Sequence, residues 1–339
     1  MIARRAQGAV STKVVRNANF DANHRPPVCD PGPKMSFWLK PVAPFRLDLT
    51  AWALRRRPSN LIDRWNGQMY RRVLVLKNTP LEVAVIQTGR AETARLRVTL
   101  TGRRLGPEAK RLATQSLERL LGLRIDLSQF HRRAVADPKL GPLAERFRGV
   151  KPPRFPTLFE TLVNAIACQQ MSLSLGIVLL SRLAAKFGMA MESADGMAHA
   201  FPRPEDMVNL EPKAFRELGF SLQKGRAIIA LTRACSKGGC PWEELESLDN
   251  QAVVERLLGL RGVGRWSAEY VLLRGLGRLN VYPGDDVGAR NNLKRWLNLR
   301  KPLDYASVRR ITGRWQPYAG LVYFHMLLDR LAATRDLAR

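Results

Sequence analysis

Leu258-Gly-Leu-Arg-Gly-Val-Gly-Arg-Trp-Ser-Ala-Glu-Tyr270 is the stretch on which the fold of this chain turns. Its centre, Leu260-Arg-Gly-Val-Gly264, predicts a tight hairpin between two helices, because Gly262 and Gly264 allow backbone angles that other residues resist. With no side chain at either position, a phosphate can approach the amides at the start of the next helix. Arg261 and Arg265 put positive charge beside that approach. A plain αα-hairpin with a glycine stop would use the same glycines, so the discriminating residues are Trp266 and Tyr270. Four apart, they share one face of the outgoing helix. They begin at its phosphate-facing end, where a base drawn out of a nucleic-acid stack needs a flat surface. Their electron-rich faces would also attract a cationic alkylated purine, by about 0.5–2 kcal/mol per contact.

Further along stands Pro283-Gly-Asp-Asp286, followed by a helical run from Val287 to Leu297. An Asp just before a helix is ordinarily its cap. Two adjacent acids need supply only one cap, which leaves the other for chemistry.

The chain around these motifs has 339 residues, 56 Lys+Arg against 29 Asp+Glu, and a formal charge of +27, which calls for a polyanionic partner. Nucleic acid is favoured over an acidic membrane, since no apolar stretch approaches the roughly 18–20 residues of a bilayer span. Cys29, Cys168, Cys235 and Cys240 form no CxxC pair, and His24, His131, His199 and His325 are scattered. This implies a reducing compartment and no cysteine-bound metal.

Residues 1–40, rich in Arg, Lys, Pro and Asn, are expected to be a flexible basic arm; they also have the look of an organelle transit peptide, and Met35 is an alternative start. Residues 41–148 are expected to be an antiparallel α+β domain. The period-two runs FRLDLT, YRRVLVLKN, LEVAVIQTG and ARLRVTLTG predict strands, and a helix is expected over 107–121. Residues 149–339 read as all-α. Helices are expected over 158–166, over 172–187 with Gly188 as the stop, over 213–218, from Ser221 to about 236, and from Asp249 to about 258.

Hairpin, Gly-rich turn and Asp together resemble the signature of the helix-hairpin-helix, Gly-Pro-Asp superfamily of DNA glycosylases, in particular its alkylpurine branch of the DNA-3-methyladenine glycosylase II type. The resemblance runs from Phe45 to Arg330. It includes Ile166-Ala-Cys-Gln-Gln-Met-Ser172, the Leu218-Gly-Phe-Ser221 turn and Arg314-Trp-Gln-Pro-Tyr318. It implies a monofunctional glycosylase that hydrolyses the N-glycosidic bond of alkylated purines in base excision repair. Asp286 would be the catalytic carboxylate, and Asp285, Trp266, Tyr270 and Gln169 would line the base pocket. Gln170 would be the wedge that fills the gap in the DNA, and Gly262, Gly264, Arg261 and Arg265 would bind phosphate. Backbone carbonyls of Leu258, Leu260 and Val263 would hold a monovalent cation.

Members of the superfamily that also cut the backbone carry a lysine where this chain has Trp266, and an indole cannot form a Schiff base. The iron-sulfur cluster of some relatives needs cysteines after the Asp, and none lies beyond Cys240. One departure is Leu327, near the position of a further pocket tryptophan in the branch; it implies a less aromatic wall. The competing expectations are a non-catalytic helix-hairpin-helix DNA-binding protein and a glycosylase for oxidised or mismatched bases. The expected partner is double-stranded DNA with damaged bases, bound by a monomer with no membrane association. The expected setting is a bacterial cytoplasm beside the nucleoid or, in a eukaryote, the nucleus or an organelle.

Overall fold

The computed structural model describes residues 32–235, 240 and 242–334. Strands β1 (Lys34–Leu39), β2 (Arg64–Trp65), β3 (Met69–Leu76), β4 (Thr79–Thr88) and β5 (Arg95–Thr101) form an antiparallel sheet in the order β1-β5-β4-β3-β2. The β3–β4 turn is tight because Lys77 and Asn78 both take positive φ, 48° and 60°, which matches the twist of the strands it joins. Alternation buries Leu81, Val83 and Val85 on β4 and Leu96, Val98 and Leu100 on β5.

Helices α1 (Leu47–Arg55) and α2 (Pro107–Leu121) contact the sheet, and α3 (Ser128–Val135) and α4 (Leu140–Arg146) pack on each other, α4 also on the last helix of the chain. Then come α5 (Leu158–Cys168) and α6 (Leu173–Phe187), a small hairpin of β6 (Ala190–Ser193) and β7 (Gly196–His199), and α7 (Pro204–Met207), α8 (Pro212–Glu217), α9 (Leu222–Cys235) and α10 (Asn250–Leu258). The chain ends in α11 (Arg265–Tyr270), α12 (Val287–Trp296), α13 (Tyr305–Gly313) and α14 (Ala319–Ala333). This is the expected antiparallel α+β region followed by a helical core.

Several expectations need correcting. FRLDLT is the start of α1, not a strand: Asp48 sits in the first helical turn, Thr50 Oγ1 donates to the Arg46 carbonyl, and every residue from Leu49 to Leu54 is buried. A six-residue alternation cannot reveal a helix that is buried all round. Of the arm expected over 1–40, residues 1–31 lie outside the described residues, while 34–39 form β1, with Met35 inside the strand opposite Leu100. The helical half also contains the β6–β7 hairpin. Cys235 and Cys240 are joined by a disulfide, whereas the four cysteines had suggested a reducing compartment.

Nor do the hydrophobic cores divide at residue 149. One cluster joins Trp52, Leu96 and Phe130 of the first region to Tyr270, Leu293 and Phe324 of the last helices. The other gathers Leu162, Ile177, Phe215, Ile228, Leu257 and Val271. The chain thus leaves its first core, builds a second, and returns. A buried ion cluster ties the sheet to α5. Arg72 on β3 donates to Asp63 at 2.7 Å and to both Glu160 oxygens at 2.6 Å, and Tyr70 donates to Asp63 at 2.8 Å.

His325, wholly buried on α14 between Phe130 and Phe147, has its pKa lowered to about 4, chiefly by burial. The native state then binds fewer protons than the unfolded chain between pH 6.5 and 4. Stability is complete above the unfolded value and drains away as pH falls through that window, by about 3 kcal/mol. Melting temperatures taken from pH 7 to pH 4 should show this loss, and His325→Leu should flatten it.

Candidate active site

Helix α11 occupies the seam between the two cores. Ala268 and Val271 face the second cluster, while Tyr270 belongs to the first and Trp266 packs against it. Helical periodicity thus delivers the 266/270 face to one side of the seam. The rings of Trp266 and Tyr270 lie 5.5 Å apart at 35°. Tyr270 is buried, and its hydroxyl accepts from Arg56 Nη1 at 2.9 Å; burial raises its pKa. Trp266 is half-buried, and its indole Nε1 donates to Asp286 Oδ2 at 3.1 Å.

Asp286 also caps α12, its Oδ1 accepting from Ala289 N at 2.7 Å. Of the two acids, Asp286 is therefore the one that caps, and its second oxygen faces the indole. Asp285 is the paired acid, bound by Arg290 and lying 3.8 Å from Arg265. Among the described residues no ion pair engages Asp286.

Gly262 takes φ +78°, and a Cβ there would stand 2.8 Å from Ala227 Cβ. Gly264 is extended at φ −106°, and a Cβ would meet nothing within 4 Å. One glycine is thus required by the turn, and the other leaves open space at the head of α11, which has no side-chain cap. Arg261 and Arg265 are exposed beside it. Gln169, at the end of α5, uses its amide to brace the hairpin, donating to the Gly262 carbonyl at 2.7 Å and to Ser267 Oγ at 2.8 Å. Gln170 is exposed and takes φ +53°, an uncommon conformation for a side chain of its size. Among the hairpin carbonyls, that of Leu260 accepts from Val263 N at 3.1 Å. Among the described residues no His, Cys, Asp or Glu group is arranged to hold a metal ion.

Four contributors escaped the sequence reading. Tyr323, one turn before Leu327, packs 6.0 Å from Tyr282. Burial raises the pKa of both, and the Asp286 charge raises it further. A further aromatic pair therefore lies within reach of the Asp286 charge, one turn of α14 from Leu327, and only knowledge of which face of α14 looks inward could have found it. Arg56 and Glu269 are buried partners with no distinctive motif. Two surface concavities, one beside Phe130 and Trp315 and one beside Arg55 and Trp65, include none of these residues. At the site the indole of Trp266 is hydrogen-bonded to the carboxylate directly.

A hairpin that seats a lone carboxylate against an aromatic pair defines a class. Residues 163–317 match the family described as HhH-GPD superfamily base excision DNA repair protein. It is 28% identical over 201 residues to a DNA-3-methyladenine glycosylase of Bacillus subtilis (strain 168), a match covering 59% of this chain and 66%, just under two thirds, of that protein. In fold it is similar to a 3-methyladenine DNA-glycosylase from Archaeoglobus fulgidus, with a TM-score of 0.75 and 24% identity over 87% of this chain and 99% of the other. It is also similar to a 3-methyladenine DNA glycosylase of Schizosaccharomyces pombe in complex with abasic DNA, with a TM-score of 0.51 and 25% identity over 59% of this chain and 95% of the other. No helix among the described residues is long and apolar enough to cross a membrane.

The two hairpin glycines should respond differently to a methyl group. Gly262→Ala, strained in φ and crowded by Ala227, should lower unfolding free energy by about 1–3 kcal/mol, whereas Gly264→Ala should stay within about 1 kcal/mol of the parent. Denaturant unfolding of both variants checks this.

Proposed function

We propose that the protein is a monofunctional DNA glycosylase that removes alkylated purines of the 3-methyladenine and 7-methylguanine type from double-stranded DNA. The observation that carries this is the placement of Asp286, free of arginine, one hydrogen bond from an indole that stacks on Tyr270. As the bond from C1′ to the purine nitrogen breaks, its electron pair goes to the base and cancels the positive charge of alkylation. Positive charge gathers instead on the deoxyribose, and an ionised carboxylate beside it stabilises that state electrostatically. Water then bonds to C1′ and gives up its proton. A base already carrying positive charge requires little protonation to depart. Trp266 occupies the position at which an amine would attack the sugar, so the product is an abasic site with an intact strand.

The hairpin amides, with Arg261 and Arg265, suit a DNA phosphate, and the exposed Gln170 suits the space vacated by the turned-out nucleotide. Trp266, Tyr270 and Tyr323 suit the walls around the base, with Gln169 holding the hairpin to α5. A protein with this role would act as a monomer on chromosomal DNA, in the cytoplasm of a bacterium or in the nucleus or an organelle of a eukaryote. The carbonyls of Leu258, Leu260 and Val263 would hold a monovalent cation, whose charge would attract phosphate, since the first and last accept no backbone hydrogen bond outside helices among the described residues. Replacing potassium by tetramethylammonium at constant ionic strength should then weaken DNA binding, as read by fluorescence anisotropy; unchanged affinity rejects the cation.

Asp286→Asn keeps a helix cap but removes the charge. Base release from methylated DNA, resolved by base identity, should fall by about 100-fold or more, while DNA affinity holds or rises. Activity near that of the parent would refute the assignment. Release of neither 3-methyladenine nor 7-methylguanine by the parent would favour a binding module or a different lesion, and a borohydride-trapped adduct would rule out the monofunctional mechanism.

A further inference from the structure

Behind the loop that carries Asp286 lies a second carboxylate with no part in the chemistry so far. Glu269 is 5% exposed and sits on the face of α11 that looks toward Pro283-Gly-Asp-Asp286. Its Oε2 accepts from the Gly284 amide at 2.9 Å, and its Oε1 accepts from the Tyr305 hydroxyl at 2.7 Å. The Gly284 carbonyl is held from the other side by Arg290 Nε at 2.6 Å, so both polar groups of that residue are bound by charged side chains. The Tyr305 ring presses on the same glycine: a Cβ at Gly284 would stand 2.8 Å from two of its carbons. The outer face of this ring carries the Arg265 guanidinium, 4.6 Å from its centre, and Arg265 also reaches to 3.8 Å from Asp285.

We infer that Glu269 and Tyr305 form a clamp that sets the position of Asp286 against Trp266 and links it to the phosphate-side residue Arg265. They are positioning residues, since neither touches the indole or the carboxylate that faces it. The physical case rests on loop length. Gly284 lies two residues before Asp286, so its amide and carbonyl decide where the loop enters α12. The α12 cap alone orients the Asp286 side chain within its own helix. Beside the Trp266–Asp286 bond itself, the bond from Glu269 on α11 to the loop fixes that helix relative to the indole. A carboxylate buried against uncharged donors, the Gly284 and Asp285 amides and the Tyr305 phenol, is expensive to desolvate, and Glu269 shows that cost in a pKa raised chiefly by burial.

This inference rests on the glycosylase reading for its activity arm but not for its structural one. In Glu269→Leu both acceptors are lost. Single-turnover base release at saturating enzyme should fall by about 10- to 100-fold, as misplacement of a reacting group by a fraction of an ångström does. Affinity for DNA bearing an abasic site should stay within about threefold, a split between chemistry and binding. Glu269→Gln can accept from Gly284 with its oxygen and donate to the Tyr305 oxygen with its nitrogen, so it should restore release to within about threefold of the parent. In ¹⁵N-tryptophan-labelled protein without DNA, the Trp266 indole N–H signal should shift in Glu269→Leu and return in Glu269→Gln. Should Glu269→Leu fail to fold, Tyr305→Phe removes one donor from the clamp and must shift the same signal.

An unmoved indole signal in the folded Leu or Phe variant overturns the clamp, as does base release by Glu269→Leu within threefold of the parent, or Glu269→Gln no better than Glu269→Leu. If the parent releases no base at all, the glycosylase reading fails, and the indole signal still decides the clamp.

Discussion

A carboxylate kept free of cations inside a chain of charge +27 is the condition on which this structure depends. Asp286 meets it because both its oxygens are taken by uncharged donors, the Ala289 amide and the Trp266 indole. The nearby guanidinium groups are drawn elsewhere: Arg290 to Asp285 and to the Gly284 carbonyl, Arg265 to Asp285 and the face of Tyr305. Asp285 thus acts as a decoy. An Asp286 paired with arginine would carry its compensating charge with it, and its field at a neighbouring sugar would be largely cancelled.

Holding that arrangement requires elements from distant parts of the chain. The aromatic face comes from α11, the carboxylate from the loop before α12, the Tyr323 wall from α14, and the brace on the hairpin from the end of α5. They meet because the chain closes its first core last. Helices α12 and α14 return to the cluster begun by the sheet, trapping α11 between that cluster and the helical one. The buried Arg72 cluster adds directional bonds between β3 and α5. Such a cluster contributes little net stability against its desolvation, but losing one member is costly, so it favours a single packing of sheet on helix.

Much of this was legible in the residues alone. Gly262, Gly264, Trp266, Tyr270 and Asp286 carry local signals, such as glycine at a turn, aromatics four apart and an acid before a helix, and the structure brings all five together. Helix ends set by local chemistry were also readable: Ser172, Asp249 and Asp286 cap their helices, and Pro107 opens α2. What failed is what only packing decides. Leu47 to Leu54 form a helix because both its faces are covered, so no amphipathic stripe betrays it. Strand β1 pairs only with β5, a partner some sixty residues away in sequence. Glu269 looked like any helical glutamate, since its value lies in an amide and a phenol from two other segments. That Asp286 both caps its helix and faces the indole was hidden for the same reason, since it needs a geometry that the sequence does not display.

The two aromatic walls differ in rigidity, and the cause is buried charge. Arg274 is wholly enclosed, with no carboxylate bonded to it; both its terminal nitrogens donate to the Ala53 carbonyl at 3.1 Å, in the last turn of α1, where the helix dipole is negative. The rings of Phe155, Tyr270 and Phe324 surround its guanidinium at 5.0–5.9 Å. Arg56, just past the end of α1, bonds the Tyr270 hydroxyl and the Asn164 side chain. Moving Tyr270 would strip both cations of contacts they cannot replace from solvent, so it stays fixed. Trp266 has one hydrogen bond, to Asp286, and a partly solvated ring. The cost of shifting it is a single exchange of that bond for one to water, roughly 1 kcal/mol. A flat ligand entering here therefore meets one wall that cannot yield and one that can, and when the yielding wall moves it frees one oxygen of the carboxylate.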